Sequence, residues 1–509
     1  MMPVSSADKT RARRAKRNIA LWLYAGFLAL NVAMTRGHFY LSDEVEVFQQ
    51  ARSLWDGGNL SVAPNVNTVR GRNGLYYAPY GIGQSILALP FYAAGKTAHR
   101  FLEKHHAASW IKTLAGPPIG DPDRRWGGEV EIFFVNLFCA FVMPALMVLF
   151  FWFNLRLGVP PLWSVVATLL LGLTTHLAGF GVEFLQHPAE ALLLLLAFYY
   201  LFEERSRLLA GLCAAMLILV RASGIILIPA LTGYLLWNAF YRSAAKETAT
   251  RALEAIGKSA AFLIPIIGSI MITMLVNGAK WGKLSFSGSY GAFNTFDNSW
   301  LVSLYGFLFS PGQSIFLFSP LLLLAFFYFR PFAKKYPFET AAIFTLAASY
   351  TLFYGKSLTW HGQWCFGPRY LVALVPLLML PFGMWLERAR PAAWFAILPL
   401  AMVGGFIEVL HVAINVSYVI YREGYDRLVP KDAYIFVPQV SQIAAHWRAL
   451  VAFDDRVDLW LINVARDVGL WRALALFTPL AALMALSIIR IKANLAETRA
   501  IPMRLKSLE

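Results

Sequence analysis

Runs of apolar residues long enough to cross a lipid bilayer dominate this chain. Stretches such as FVNLFCAFVMPALMVLFFWF, WSVVATLLLGLTTHLAGFG and RALALFTPLAALMALSII approach the roughly 20 residues that a spanning helix needs. The core of a soluble protein would show shorter runs that are interrupted by polar faces. Composition agrees, because 58% of the 509 residues are hydrophobic and only 15% are charged. We therefore predict an all-α polytopic membrane protein.

The net charge of +16 is explained by the membrane rather than by nucleic acid. Many Lys and Arg residues stand at the ends of apolar runs, as the positive-inside rule expects. We therefore predict the membrane as a partner and no nucleic acid. The cysteines Cys139, Cys213 and Cys365 are far apart in the sequence, and this spacing indicates neither a disulfide framework nor a metal site.

Charge placement predicts the topology. The basic N-terminus and the basic tail after Arg490 indicate that both termini are cytoplasmic, so the number of crossings must be even. Thirteen apolar runs are visible, and 80–97 is short and contains Pro90 and Gly95, so we predict that it is re-entrant or interfacial. The expectation is about 12–13 transmembrane helices with a long first extracytoplasmic loop that carries amphipathic helices.

The chain reads as one integral membrane module with short cytoplasmic ends. The predicted segments are a basic cytoplasmic tail (1–18), a transmembrane module (19–390) that includes external loop 37–129, C-terminal transmembrane helices (391–490) with external loop 421–469, and a second cytoplasmic tail (491–509).

Two acidic residues, Asp43 and Glu44, follow the first span directly in YLSDEVEVFQQARSLWDGGNL. Apolar residues recur at helical spacing through 44–56, which predicts an amphipathic helix on the outer surface. A structural explanation is available: Asp43 caps this helix, and Glu46 three residues later completes a capping box. Capping does not explain why two carboxylates stand together at the lip of a span.

This segment and three later stretches resemble the GT-C glycosyltransferases, which include the protein O-mannosyltransferases and the lipid A aminoarabinose transferases. The first part of the resemblance is the Asp-Glu pair, the amphipathic helix and YYAPYGIGQSILALPFYAAG. The later stretches are NGAKWGKLSFSGSYG, GFLFSPGQSIFLFSPLL and WHGQWCFGPRYLVALVPLL. The likeness covers roughly 40–380 and leaves loop 421–469 unmatched.

The resemblance implies a glycosyltransferase in the bacterial inner membrane whose active site faces the extracytoplasmic side. Its donor would be a hexose or pentose on polyprenyl phosphate, and its acceptor a hydroxyl group of a lipid or glycan. Transfer would invert the anomeric centre. A carboxylate of the first external loop would act as general base, which implies that Asp43 has this role and Glu44 is its substitute.

A phosphate leaving group needs cationic partners. Arg369 in FGPRY is the first candidate. Lys356, Arg124, Arg125 and Arg221 are weaker ones, since simple extension of the side chain to the interface is the favoured explanation for each of them. Further candidates for substrate binding are Glu183 and His187 in the second external loop and, for stacking on sugars, Tyr77 and Trp364.

No cofactor is expected. The chain lacks the paired acidic motif of the metal-dependent oligosaccharyltransferases, so a divalent metal remains an option that no motif supports. Glu408, His411 and Asn415 share one face of an apolar helix. Such intramembrane polar residues are either functional or form one interhelical hydrogen-bond cluster, and the sequence leaves both readings open.

Two other functions are compatible with the sequence. A transporter or flippase of lipid-linked glycans would more often show two related halves with broken helices, and no internal repeat is visible. A polymerase or ligase of lipid-linked glycans usually carries its large functional loop late in the chain, and loop 421–469 keeps that alternative open. The long first external loop favours the glycosyltransferase.

Overall fold

The computed structural model describes residues 6–506, except for 66, 116–128, 203–204, 242, 244–246, 289–294, 364, 417–418, 420–431 and 453–456. The predicted helical architecture is confirmed. Up to the middle of the chain the α-helices are α1 (Ser6–Met34), α2 (Ser42–Gly57), α3 (Gly83–Lys104), α4 (Ala108–Ala115), α5 (Val130–Arg156), α6 (Pro161–Thr174), α7 (His187–Leu201), α8 (Arg207–Val220), α9 (Ile228–Tyr241) and α10 (Thr248–Trp281).

The second half of the chain contains shorter and more interrupted helices. They are α11 (Trp300–Phe309), α12 (Ile315–Phe318), α13 (Ala325–Lys335), α14 (Pro337–Lys356), α15 (Val375–Met379), α16 (Phe382–Leu386), α17 (Trp394–Ala413), α18 (Ala433–Phe436), α19 (Gln442–Ala452), α20 (Trp460–Asp467) and α21 (Leu470–Lys506). Single 3₁₀ turns lie at Gly179–Val182, Ala222–Leu227, Pro320–Leu324, Arg369–Leu374, Pro391–Ala393 and Pro438–Val440.

Several of these helices are suited to cross a bilayer. Within the described residues, six helical segments are long and apolar enough to span it: Thr10–Met34, Val130–Arg156, Ala222–Tyr241, Thr248–Trp281, Pro391–Ala413 and Leu470–Arg499. Five shorter apolar helices accompany them. Helix α3, which includes most of the run at 80–97, is not among these spans; it packs on α2 and α5. The chain is thus a multi-pass membrane protein, and the number of crossings stays a prediction.

Helix α2 is packed inside the protein. The ring of Phe39 stacks on Phe184 with centroids 5.6 Å apart and lies 5.3 Å from Phe48, and Val45 is buried with them. Burying side chains of this size contributes about 1.5–3 kcal/mol each. The helix predicted at 44–56 is therefore present, and its apolar face packs against α3 and α5.

A small antiparallel sheet is the exception to the all-α pattern. Strands β1 (Ser61–Val62), β2 (Val69–Arg70) and β3 (Tyr76–Tyr77) pair in the order β1–β3–β2. Ser61 and Val69 both lie opposite Tyr77. The sheet returns the chain to the N-terminal end of α2, which places the residues after β3 beside Asp43.

The two ends of the chain lie on one side of the helical bundle. Helix α1 packs along α21, where Arg11 pairs with Glu497 and the Asn18 amide donates to Asn494 Oδ1 at 3.3 Å. Because each terminal helix runs from this side toward the opposite one, Asp43 lies at the far end of α1. This arrangement agrees with the expectation that the two termini share a compartment.

Cysteine labelling will assign that compartment. We expect Asn73→Cys to react with an impermeant maleimide in intact cells, and Arg14→Cys to react only after the membrane is opened. Both positions are exposed. Arg14 lies near the start of α1, and Asn73 lies on the side of the bundle where α1 ends. The unmodified chain, with its native cysteines, gives the background. Labelling of both variants from the same side would contradict the topology.

Candidate active site

Asp43 lies in the first turn of α2 and faces a cavity. Its Oδ1 accepts hydrogen bonds from the Tyr80 hydroxyl at 2.7 Å and from the Asn67 amide at 3.4 Å. Its Oδ2 accepts one from Arg369 Nη1 at 3.1 Å. A quarter of the side chain remains exposed. The structure therefore joins the two leading candidates of the sequence analysis, Asp43 and Arg369, although 326 residues separate them.

The predicted capping role of Asp43 is wrong, because the helix starts two residues earlier. Its N-cap is Leu41, and Glu44 occupies the N3 position, where Glu accepts from the cap backbone. Glu44 Oε2 accepts from the backbone N–H groups of Tyr40 and Leu41 at 3.0 Å each, and Oε1 accepts from that of Phe184 at 2.7 Å. The carboxylate of Asp43 thus takes no part in capping the helix.

Glu44 has no access to the cavity that Asp43 faces. It is fully buried, and both its oxygens are used by backbone groups. Burial and the negative charge of Glu183 raise the pKa of Glu44 to about 7, while the three backbone N–H groups oppose this rise. The role of Glu44 as substitute base is therefore corrected: this side chain joins the start of α2 to the loop before α7.

Arg369 is held by the segment around it. Its Nη2 donates to the Tyr370 hydroxyl at 3.4 Å. A Cβ on Gly362, whose φ is +76°, would lie 2.8 Å from Arg369 Cγ, so this turn requires glycine. Gln442 braces the same segment, because its amide donates to the Cys365 carbonyl and accepts from the Gly367 N–H, each at 2.8 Å.

One donor of Arg369 is still available. The Nε atom is buried and has no hydrogen-bond partner within the described part of the chain. A buried N–H without an acceptor costs about 1–3 kcal/mol, so an acceptor brought within reach of Nε would recover this energy. Arg369 is therefore the side chain best placed to receive an anion.

Arg221 supplies a second cation to the same cavity. It follows the last residue of α8, and its Nε donates to the Tyr354 hydroxyl at 2.9 Å. Its Nη1 lies 3.1 Å from His187 Nδ1 and 3.7 Å from Glu190 Oε2. The rings of Tyr354 and Tyr370 stack with centroids 4.1 Å apart and planes inclined by 3°. Both tyrosines thus link the two arginines.

Two cavities meet at these residues. The polar one has about 650 Å³ of open space. It is lined by Asp43, Asn67, Pro79, Tyr80, Gln186, Arg221, Thr359, Gln363, Arg369 and Tyr370. The adjoining one has about 1060 Å³ and a mainly apolar wall that includes Ile225, Ile226, Phe286, Phe296 and Phe353. Pro79, Tyr80, Gln186, Arg221 and Tyr370 line both, so the two cavities adjoin at these residues.

The loop that carries Tyr80 is fixed by a buried lysine, Lys280. Its Nζ donates to the carbonyls of Ala78 at 3.1 Å and Tyr80 at 3.3 Å and to Gln50 Oε1 at 3.0 Å. Three acceptors match the three N–H groups of an ammonium. The last turn of α10 therefore positions Tyr80 against Asp43.

Glu183 and His187 of the second external loop do not reach the cavity as predicted, although Gln186 of the same loop lines it. Glu183 is buried, and its Oε1 accepts from Arg36 Nη1 at 2.9 Å and lies 3.0 Å from His411 Nε2. His187 is buried behind Arg221. Neither residue lines the polar cavity. The prediction that Glu183 and His187 contact the substrate is therefore corrected: both side chains hold neighbouring helices together.

The remaining candidates are dispersed. Lys356 Nζ donates to the Asn298 carbonyl at 3.2 Å and lies over the Trp300 ring. Tyr77 is buried, its hydroxyl accepts from the Asn73 amide at 2.7 Å, and it does not line either cavity. The structure thus separates Lys356 and Tyr77 from Asp43. Trp364, Arg124 and Arg125 lie outside the described residues.

Sequence reasoning missed Tyr80 and Asn67. Tyr80 belongs to the stretch YYAPYGIG that carries the resemblance, so the quoted motif contained it without indicating its role. Asn67 stands in a segment with no periodicity, and only the return of the chain through the sheet brings it to Asp43. Arg221 was a weaker candidate in the sequence analysis, and the structure shows that it lines the polar cavity.

Glu46, one turn after Asp43, should make stability depend on pH. It is fully buried, and no side chain of the described residues is hydrogen-bonded to its carboxylate. Burial and the charge of Asp43 raise the pKa of Glu46 to about 8, although the Asn67 backbone amide opposes this. From pH 4.5 to 8, the unfolded chain loses the Glu46 proton while the folded chain keeps it, so each pH unit costs up to about 1.4 kcal/mol of the free energy of unfolding.

We therefore expect Glu46→Gln to raise the melting temperature at pH 8 by several degrees more than at pH 5, as measured by thermal unfolding in detergent. Glu387→Gln, at an exposed carboxylate, is the matched control and should show no such difference. An equal effect of Glu46→Gln at both pH values would contradict a carboxyl group held neutral beside Asp43.

Comparison with known proteins gives matches among solved structures. No family model and no curated protein matches the chain. Similar structures include ArnT from Cupriavidus metallidurans in the apo state (13% identity, 93% of this chain and 75% of that chain, TM-score 0.47) and bound to undecaprenyl phosphate (15%, 96% and 77%, 0.45). Another is the apo oligosaccharyltransferase of Archaeoglobus fulgidus (11%, 82% and 59%, 0.40). All three TM-scores are below 0.5, and the function proposed for the cavity rests on its own side chains.

Proposed function

We propose that this protein is an inverting membrane glycosyltransferase that moves a sugar from a polyprenyl-phosphate donor to an acceptor hydroxyl, with Asp43 as general base. The observation that carries the proposal is the pairing of a partly exposed carboxylate with Arg369 in a polar cavity that adjoins an apolar one. A donor of this class has the same three parts: a sugar, a phosphate and an apolar chain.

Asp43 has the acceptor capacity that a base needs. An ionised carboxylate accepts about four hydrogen bonds, and the described residues supply three, from Tyr80, Asn67 and Arg369. A lone pair on Oδ2 remains for the attacking hydroxyl. Because the two oxygens are held from opposite sides, the carboxylate is fixed before substrate binds, which favours proton transfer in a defined direction.

Arg369 and Arg221 are suited to hold the phosphate. The unsatisfied Nε of Arg369 provides a donor without breaking the contact to Asp43. A guanidinium that binds a carboxylate on one edge and a phosphate on another separates these anions by about 6 Å, given hydrogen bonds of about 2.8 Å on each side. The same guanidinium can therefore hold the leaving phosphate while it orients the Asp43 carboxylate.

The apolar cavity is suited to the first isoprene units of the lipid. Its wall consists largely of aliphatic and aromatic side chains, including Ile225, Ile226 and Phe353. Apolar surface removed from water contributes about 25 cal/mol per Å², so the chain adds affinity that a free sugar phosphate lacks. Arg221 and Tyr370 line both cavities and mark where the phosphate joins the chain.

The proposed reaction is a single displacement. The acceptor oxygen forms a bond to the anomeric carbon while the bond from that carbon to the phosphate oxygen breaks, and the hydroxyl proton moves to Asp43. Polyprenyl phosphate leaves with the bonding electrons, and its negative charge is held by Arg369 and Arg221. The carboxyl group then returns its proton to water. In this proposal, other surfaces of the cavity recognise the acceptor and the sugar, which is a hexose or a pentose.

The test is a transfer assay with purified protein in liposomes. A radiolabelled polyprenyl-phosphate sugar is supplied together with envelope lipid and glycan extracts, and both the labelled product and free polyprenyl phosphate are measured. The proposal expects both in equal amounts. Movement of intact donor to the other leaflet without cleavage would favour a flippase, and transfer of a whole glycan from a lipid-linked donor would favour a ligase; either result alone would contradict the proposal.

A further inference from the structure

A second polar cluster lies beside the candidate active site and takes no part in the proposed reaction. It consists of His176, which follows α6, and of Glu408 and His411 on α17, and all three side chains are buried. Their potential ligand atoms lie within 4.8 Å of one another. His176 Nδ1 is 3.2 Å from Glu408 Oε1, and His411 Nδ1 is 3.5 Å from Glu408 Oε2.

Hydrogen bonds outside the cluster fix which ring nitrogens carry protons. His176 Nε2 lies 3.0 Å from the Phe366 carbonyl, which can only accept, so Nε2 is the donor. His411 Nε2 lies 3.0 Å from Glu183 Oε1, and Glu183 is paired with Arg36, so Nε2 of His411 donates as well. In neutral imidazoles, both Nδ1 lone pairs then point toward the Glu408 carboxylate.

This arrangement concentrates electron pairs in a buried space. His411 Nδ1 has no hydrogen-bond partner within the described residues. Lone pairs that face a carboxylate at such distances repel each other unless a positive species lies between them. That species is either a proton or a metal ion.

Two features favour the metal ion. The two Nδ1 atoms approach the two oxygens of one carboxylate, at 3.2 and 3.5 Å, so each of the three residues can supply one ligand atom, as in zinc sites with His and carboxylate ligands. In addition, metal-bound histidines usually donate their other N–H to a carboxylate or a backbone carbonyl, and here Glu183 and Phe366 accept these two bonds.

Gly179 packs directly against the cluster. Its N–H donates to Glu408 Oε2 at 2.8 Å, and a Cβ at this residue would lie 1.9 Å from His411 Nδ1. Any side chain here would therefore clash with the His411 ring, so this close approach requires glycine.

We infer that His176, Glu408 and His411 bind a divalent transition-metal ion of the zinc class, with a fourth position left for water. This departs from the expectation that the chain needs no metal. The ion would join α17 to the chain after α6 and, through Phe366, to the segment that carries Arg369. Asn415, grouped with this face in the sequence, instead donates to Asp458 Oδ2 at 3.0 Å and lies outside the cluster.

The test is metal binding by the full-length protein, purified in detergent through an affinity tag without histidine. We expect about one equivalent of Zn²⁺ per chain by mass spectrometry after incubation with Zn²⁺ and removal of the unbound ion. Replacement by Co²⁺ should give the intense visible absorption of a tetrahedral site. His176→Gln and Glu408→Gln should each weaken Zn²⁺ binding at least tenfold, since each removes one of three ligands.

His38→Asn is the matched control, because His38 is also buried and pairs with a carboxylate, Asp458, at 2.9 Å. It should keep the full Zn²⁺ equivalent. Where a ligand variant fails to fold, the Co²⁺ spectrum of the unmodified protein still decides. Absence of bound Zn²⁺ and of the Co²⁺ band in the folded protein would show that a proton alone occupies the cluster and would overturn the inference, as would full Zn²⁺ retention by both folded ligand variants.

Discussion

Replacing Asp43 with asparagine is expected to lower the rate of sugar transfer by about 10²–10⁴-fold, the usual contribution of a general base. The amide oxygen of the substituted side chain can still accept from Tyr80, which bonds Asp43 Oδ1 at 2.7 Å. It cannot take the proton of the attacking hydroxyl. The measurement is the initial rate of product formation at saturating donor with the variant in liposomes.

The Asp43→Asn variant is expected to fold normally, so a loss of rate would not reflect a loss of folded protein. Helix α2 is capped through Leu41 and Glu44, and Asp43 is not involved, so the variant should be produced in normal amounts and melt close to the unmodified protein. Asp56→Asn is the matched control: it makes the same chemical change near the other end of α2, where Asp56 pairs with Lys96 and Tyr92. Turnover by Asp43→Asn at the control's rate would remove Asp43 from the chemistry.

Replacing Arg369 with alanine is expected to weaken donor use by about ten- to a hundredfold in apparent KM. A hydrogen bond to a charged group contributes about 1.5–3 kcal/mol, and Arg369 would supply at least one such bond to the phosphate. The same change leaves Asp43 without the partner that fixes Oδ2 at 3.1 Å, so kcat should fall as well. The assay is a titration with the polyprenyl-phosphate sugar, followed by initial rates.

Two further variants separate binding of the phosphate from general charge. Arg369→Lys should recover part of the loss, because an ammonium keeps the charge but not the planar fork that reaches carboxylate and phosphate together. Lys356→Ala should have little effect, since Lys356 donates to the Asn298 carbonyl and lies outside the cavities. An unchanged donor titration for Arg369→Ala would exclude Arg369 from the phosphate site.

The fold class was predictable because a bilayer imposes a length on apolar runs, and such runs are visible in a sequence. The helix after the first span was predictable for a similar reason: Val45, Phe48 and Ala51 share one face, and Gly58 ends it with φ +59°. Its exact start was not. Asp43, Glu44 and Glu46 are all suitable near a helix N-terminus, and only the backbone bonds of Glu44 decide which one caps.

Long-range contacts account for the rest of the candidate site. Arg369 and Lys356 are both cations near the end of an apolar run, and only folding places one beside Asp43 and the other beside Asn298. Glu183 was selected as a polar loop residue, but its partner Arg36 stands at the end of the first span. Pairings of this kind leave no periodic pattern in the sequence.

The most direct measurement is a structure of the protein with bound polyprenyl phosphate, obtained by electron cryo-microscopy in lipid nanodiscs. The account predicts the phosphate within hydrogen-bond distance of Arg369 and Arg221, the isoprene chain along Ile225 and Phe353, and Asp43 separated from the phosphate by the space for one sugar. Density for the lipid phosphate at another surface, such as the apolar groove lined by Leu30 and Phe477, with the Asp43 cavity unfilled, would contradict it.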